Sequence, residues 1–97
     1  MQRQPAVYLM SNKSRGTLYI GVTSNLVARV WQHKTKAAKG FTAKYNLTKL
    51  VYFELFGDMY EAISREKQLK AGSRRTKIQL IEERNSEWRD LYEEIST

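Results

Sequence analysis

The chain has 97 residues, with 17 Lys and Arg against 10 Asp and Glu, a net charge of +7, one histidine and no cysteine. The missing cysteines exclude disulfides and thiolate metal sites, and a single histidine leaves no ligand set for structural zinc. No apolar stretch approaches the ~20 residues of a membrane span, and Met1-Gln2-Arg3-Gln4-Pro5 has no apolar signal core behind it, so one cytoplasmic domain over 1–97 is expected.

In chain order, Ala6–Met10 and Thr17–Thr23 are rich in the β-branched and aromatic residues that favour strands. The linker Ser-Asn-Lys-Ser-Arg-Gly between them has turn chemistry. A hairpin centred there puts Tyr8 and Tyr19 side by side on one face, either as a packing pair or as the start of a phosphodiester-cleaving site. A helix follows, capped by Ser24 or Asn25 and stopped by Gly40. Leu26, Val27, Val30 and Trp31 form its apolar face. Phe41–Tyr45 reads as a short helical turn. Lys49–Phe56 is a nearly continuous apolar run, expected to be a central strand covered on both faces.

Asp58, with Glu61 three residues on, resembles a capping box. It opens a helix that Ala71-Gly72 closes. Ser73 caps a helix carrying Ile78 and Ile81. Ser86 is expected to cap a last helix striped by Trp88, Leu91, Tyr92 and Ile95. The fold class is therefore α+β, a small three-stranded, mostly antiparallel sheet flanked by helices in the order β-β-α-α-β-α-α-α.

Charge is unevenly placed. Residues 1–57 hold nine Lys and Arg against Glu54 alone, and Arg65–Lys77 holds six against Glu66 alone, whereas 78–97 is acidic. Gathered positive charge suits a polyanion-binding surface. On the helix after Asp58, Met59, Ala62, Ile63 and Leu69 are expected to face inward. Glu66 falls in or beside that stripe. A carboxylate there must be paired, with Arg65 or Lys70, or bound to a hard divalent metal. Arg29 and His33 are four apart and share a helical face. Arg suits phosphate through its planar fork.

The order of these residues resembles the GIY-YIG nuclease superfamily. Its first motif is Ala6-Val7-Tyr8, a departure from Gly-Ile-Tyr, and its second is an intact Tyr19-Ile20-Gly21. The family's arginine, histidine and metal-binding glutamate are matched by Arg29, His33 and Glu66. The chain looks most like small stand-alone bacterial members, the YhbQ-like group related to the nuclease module of the DNA-repair protein UvrC. Arg65-Glu66-Lys67-Gln68-Leu69-Lys70 and the tail Asn85-Ser86-Glu87-Trp88 fit that group, with Ser86 where Pro is common. The likeness spans about Pro5 to Tyr92.

The resemblance implies a GIY-YIG fold and Mg²⁺- or Mn²⁺-dependent endonuclease hydrolysis of DNA, with RNA left open. In it, Glu66 is the one protein ligand of the metal and Arg29 offsets developing charge. Tyr8 or Tyr19 helps deprotonate the attacking water, and His33 orients a tyrosine or relays its proton. Lys34, Lys36, Lys39, Lys44, Arg65, Lys70, Arg74, Arg75 and Lys77 are expected to track the nucleic-acid backbone. Phe41 and Tyr45 are placed to stack bases, and Trp31 is expected to pack in the core. Asn85 has an open match to a polar residue of the family site. A monomer is expected. A non-catalytic nucleic-acid binder and a protein-interaction module built on the acidic tail Glu82–Glu94 are the alternatives.

Overall fold

A computed structural model describes residues 4–97. Three strands, β1 (Ala6–Ser11), β2 (Leu18–Thr23) and β3 (Lys49–Leu55), form one antiparallel sheet in the order β2-β1-β3. Five helices complete the expected order: α1 (Leu26–Lys34), α2 (Phe41–Lys44), α3 (Met59–Ala71), α4 (Arg74–Arg84) and α5 (Tyr92–Ser96). Among the described residues no helix is long and apolar enough to cross a membrane.

The central strand is β1, all six residues of which are buried, and not β3. The apolar run of β3 reflects cover on two faces, since Leu50 joins one core cluster and Val51 and Tyr52 the other. A bulge opposite Leu9 and Met10 lets Val51 and Tyr52 share a cluster despite the alternation of a regular strand. The outer edge of β3 is closed by the chain's own tail. Leu91 N–H donates to Leu50 O (2.8 Å), and Leu50 N–H donates to Asp90 (3.2 Å). Unpaired strand edges invite association with other chains, and the tail covers the start of this one, at Leu50 and Val51, without a fourth strand.

That closure explains why the tail is not the helix expected from Ser86. Asn85 is buried, donates to Val51 O and Arg89 O, and accepts from Arg89 N–H. Trp88 then turns at φ +58° into the α4-side core, where its indole N–H donates to Glu82 (2.8 Å). Helix starts only at Tyr92. Asn85 is thus a clamp under β3.

Alternation along β1 divides the core. Val7 and Leu9 face Ala62 and Leu69 of α3 and Ile81 of α4; Ala6, Tyr8 and Met10 face Leu26 and Val30 of α1. The caps read from sequence form, with Asn25 accepting from Ala28 N–H, Asp58 from Glu61 N–H and Ser73 from Thr76 N–H. Two expectations fail locally. Helix α1 ends at Lys34, because Thr35 caps it and Lys36 turns at φ +61°; Gly40, at φ +108°, instead opens α2. Ile63 is exposed, because α3 seats on the sheet by the narrow stripe of Ala62 and Leu69.

The β1–β2 turn is tied down from both sides. Thr17 N–H donates to Asn12 Oδ1 (3.1 Å), Gly16 N–H to Lys13 O (3.0 Å), and Arg74 of α4 donates to the carbonyls of Arg15 and Gly16. The register this sets decides which side chains meet at β2.

Candidate active site

Strand β2 is an edge strand, and the candidate site forms along it. Tyr8 lies opposite Gly21 and Tyr19 opposite Met10, so the two tyrosines are diagonal neighbours on one face, with ring centroids 6.3 Å apart. Gly21 is there for space. A Cβ at this position would stand 2.3 Å from Tyr8 Oη and 2.4 Å from its ring. The phenol therefore lies across the bare backbone of β2 and reaches the sheet edge.

Helix α1 brings His33 onto both rings, 5.6 Å from each by centroid. Nε2 is 2.8 Å from Tyr8 Oη, and Nδ1 is 2.9 Å from Thr42 Oγ1. All three side chains of this chain of bonds are buried. Thr42 comes from α2, which could fold back under His33 only because α1 stops at Lys34. No local pattern marks a threonine as the partner of a histidine nine residues earlier.

Burial pushes the Tyr8 phenol up to about 12, with the Arg29 guanidinium pulling the other way and the charges of Tyr19 and Glu66 adding to the rise. Burial, helped by Arg29, holds His33 down to about 4, so its ring is neutral at physiological pH. Arg29 is half-buried one turn before His33 and also donates to Gln32 (2.9 Å). Glu66 reaches the same edge from α3. Its side chain is only 15% exposed and pairs with Lys70 at 3.0 Å, the Lys70 side chain being more than half exposed. Thus Tyr8, Tyr19, Arg29, His33 and Glu66, carried on four different elements, converge at β2.

The basic residues divide. Lys34 pairs with Asp90 and Thr48 O and lies over Tyr92, Arg65 forms a two-pronged pair with Glu54, and Arg74 holds the hairpin turn. These three are engaged within the fold. Lys36, Lys39, Lys44, Arg75 and Lys77 have no ion-pair partner among the described residues. Lys70 and Lys77 line a groove of about 310 Å³ with Tyr19 and Phe41. Phe41 stacks on Tyr19 at 6.4 Å, Tyr45 tilts against Phe41 at 4.7 Å, and Lys44 lies over Tyr45. Trp31, expected in the core, is 55% exposed and stacks on Tyr92 away from this groove.

Comparison with known proteins agrees with the fold. The GIY-YIG catalytic domain model matches residues 4–79. A UPF0213 protein of Staphylococcus haemolyticus is 43% identical over 82 residues, covering 80% of this chain and 94% of its own; one of Clostridium perfringens is 36% identical over 90 residues, covering 93% and 96%. The solution NMR structure of a UPF0213 protein from Bacillus halodurans aligns with a TM-score of 0.56 and 26% identity, over 97% of this chain and 98% of that one. The chain therefore belongs to the UPF0213 family of small bacterial proteins and carries a GIY-YIG catalytic domain.

Proposed function

We propose that the protein is a divalent-metal-dependent endonuclease that hydrolyses phosphodiester bonds in DNA. The observation that carries this reading is the convergence at β2 of two phenols, a guanidinium, a neutral imidazole and a half-buried carboxylate. A core-packing account explains the aromatic rings but not Arg29 and Glu66 beside them.

Glu66 fits a hard cation. Its oxygen donors suit Mg²⁺ or Mn²⁺, and its other partner is an exposed lysine that can swing away. Among the described residues no three His, Cys, Asp or Glu are grouped as ligands. A one-carboxylate site suits Mg²⁺, which keeps several waters. When bound, such an ion supplies Lewis-acid polarisation of a phosphate oxygen.

The protein's own groups do the rest. Arg29 offsets negative charge gathering on the phosphate, as a pre-placed cation does in phosphoryl chemistry. Tyr8 holds its proton at neutral pH in the free protein. Burial raises the Tyr8 phenol and lowers the His33 imidazole, so passing that proton to His33 runs uphill. His33 therefore orients Tyr8 and does not take its proton. Tyr19, half-exposed and stacked on Phe41, is the phenol nearer to solvent.

The exposed rings of Phe41 and Tyr45, with Lys44 and Lys77 alongside, favour unpaired bases over an intact duplex. RNA offers the same stacking faces, so both acids belong in the test. Labelled single-stranded, duplex and branched DNA, and single-stranded RNA, are incubated with Mg²⁺ or Mn²⁺. Cleavage of DNA carrying unpaired segments is expected, and E66Q should abolish it while binding persists. Full cleavage by E66Q would overturn the role of Glu66. Binding without cleavage by the parent protein would make this a nucleic-acid-binding module.

A further inference from the structure

We infer that Lys70 is a built-in competitor of the divalent cation: its ammonium holds the Glu66 carboxylate until the cation binds, and is then released to hold a backbone phosphate in the neighbouring groove. This rests on the proposed reading of Glu66 as the metal ligand and adds to it a coupling between metal and nucleic acid.

Glu66 and Lys70 are one turn apart on α3, with the carboxylate first, the favourable order for such a pair. Lys70 Nζ stands 3.0 Å from Glu66 Oε2 and is the one ion-pair partner of Glu66 among the described residues. Nearby cations are placed otherwise. Arg65 is bound to Glu54 by two prongs, and Lys67 is exposed with no ion-pair partner among the described residues. A carboxylate as enclosed as Glu66 keeps a counter-charge. The ammonium that supplies it is largely in water, and a pair with one hydrated partner is weak. A doubly charged cation that prefers oxygen therefore wins this carboxylate, and at that distance it repels the ammonium.

The groove decides where the ammonium goes. Lys70 and Lys77 both line it, with Tyr19 and Phe41 between sheet and helix. Lys77 has no ion-pair partner among the described residues, so Lys70 is the one of the two that is held back. Its flexible four-carbon stem can turn from Glu66 to the groove with no change in α3. There it adds a second free positive charge for a phosphate. By linkage, a phosphate that draws Lys70 away from Glu66 raises the affinity for the cation by the same factor.

The first test needs no cleavage and no nucleic acid. Mg²⁺ is titrated into ¹⁵N-labelled protein, and the dissociation constant is read from the backbone amide shifts around Glu66. K70Q should bind Mg²⁺ roughly 3- to 10-fold more tightly than the parent. K70R keeps the charge, and K67Q removes one that does not touch Glu66; both should stay within about 2-fold. An unchanged constant in K70Q, with the shifts lost in E66Q, would overturn the inference and leave Glu66 as the ligand. An equal gain in K67Q would also overturn it, since net charge alone would then account for the effect. Shifts that persist in E66Q, or that the parent never shows, would overturn the metal reading and this inference together. The second test measures binding of a single-stranded phosphorothioate oligonucleotide, which resists hydrolysis, in EDTA and in saturating Mg²⁺. K70Q should weaken binding by about 2-fold or less in EDTA and by roughly 5-fold in Mg²⁺, where the parent lysine is free to reach a phosphate. The same loss in both conditions, or none in either, would refute the release of Lys70 to the groove.

Discussion

His33 is buried with both ring nitrogens occupied, and its acid response follows from that. In the unfolded chain the imidazole gains a proton near 6.5; in the folded protein it resists until about 4. Above the first value both states are neutral and the native bonds contribute in full. Between the two the unfolded state binds more protons, so stability is lost as pH falls through that window. The contribution at stake is roughly 2–4 kcal/mol. The stability difference between the parent and H33Q should therefore be greatest and level above pH 6.5 and shrink toward pH 4. A difference between the two proteins that stays constant across this range would contradict the buried, neutral histidine. Carboxylates titrate over the same range, but they do so in both proteins and cancel in the comparison.

At the scale of elements, the β1–β2 hairpin carries the site through its register. A slip of β2 by one residue would turn Tyr19 to the α3 face, away from Tyr8. The turn chemistry of 11–17 and the grip of Arg74 on its carbonyls hold the register. The crossing of Tyr8 over β2 then depends on Gly21. In G21A the added methyl meets a ring that is buried and bonded to His33, so it has no free rotamer to adopt. Overpacking of this kind costs roughly 1–3 kcal/mol. G21A should lower the urea midpoint correspondingly and lose activity beyond that, since the Tyr8–His33 bond must lengthen. An unchanged midpoint would mean that β2 can move away, and that the close approach is not required.

At the scale of the whole molecule, positive charge is sorted by what each side chain already does. Lys34, Arg65 and Arg74 hold the fold together, while Lys44 and Lys77 flank the aromatic groove with no ion-pair partner among the described residues. A salt-dependence test should use the second group, because removing Arg74 would loosen the hairpin as well. Binding of a single-stranded oligonucleotide should weaken steeply with salt. Replacing Lys44 and Lys77 together by Gln should reduce the slope of log K against log salt by roughly 1.4, about 0.7 for each phosphate that is no longer neutralised. An unchanged slope would place the binding surface elsewhere.

Local chemistry settled much of this protein in advance. Strand-forming runs around a turn, and capping residues at Asn25, Asp58 and Ser73, depend on neighbours a few residues apart, so element order was legible in the chain; the five candidate site residues were legible only through the resemblance of their order to the GIY-YIG motifs. What was not legible depends on contacts across the fold. The apolar run of β3 reports that both its faces are covered, but it cannot say which strands lie beside it; β1 took the centre because β2 and β3 both pair with it. The helical stripe from Trp88 to Ile95 gave way because Asn85, Asp90 and Leu91 satisfy backbone groups of β3 that a helix would leave open. Exposure of Trp31 and Ile63 followed from where helices α1 and α3 seat on the sheet. Thr42 became part of the site only when the early end of α1 folded α2 beneath His33. A hydrogen-bond partner supplied from another element leaves no periodic trace in a sequence, and that is why the tertiary structure alone disclosed it.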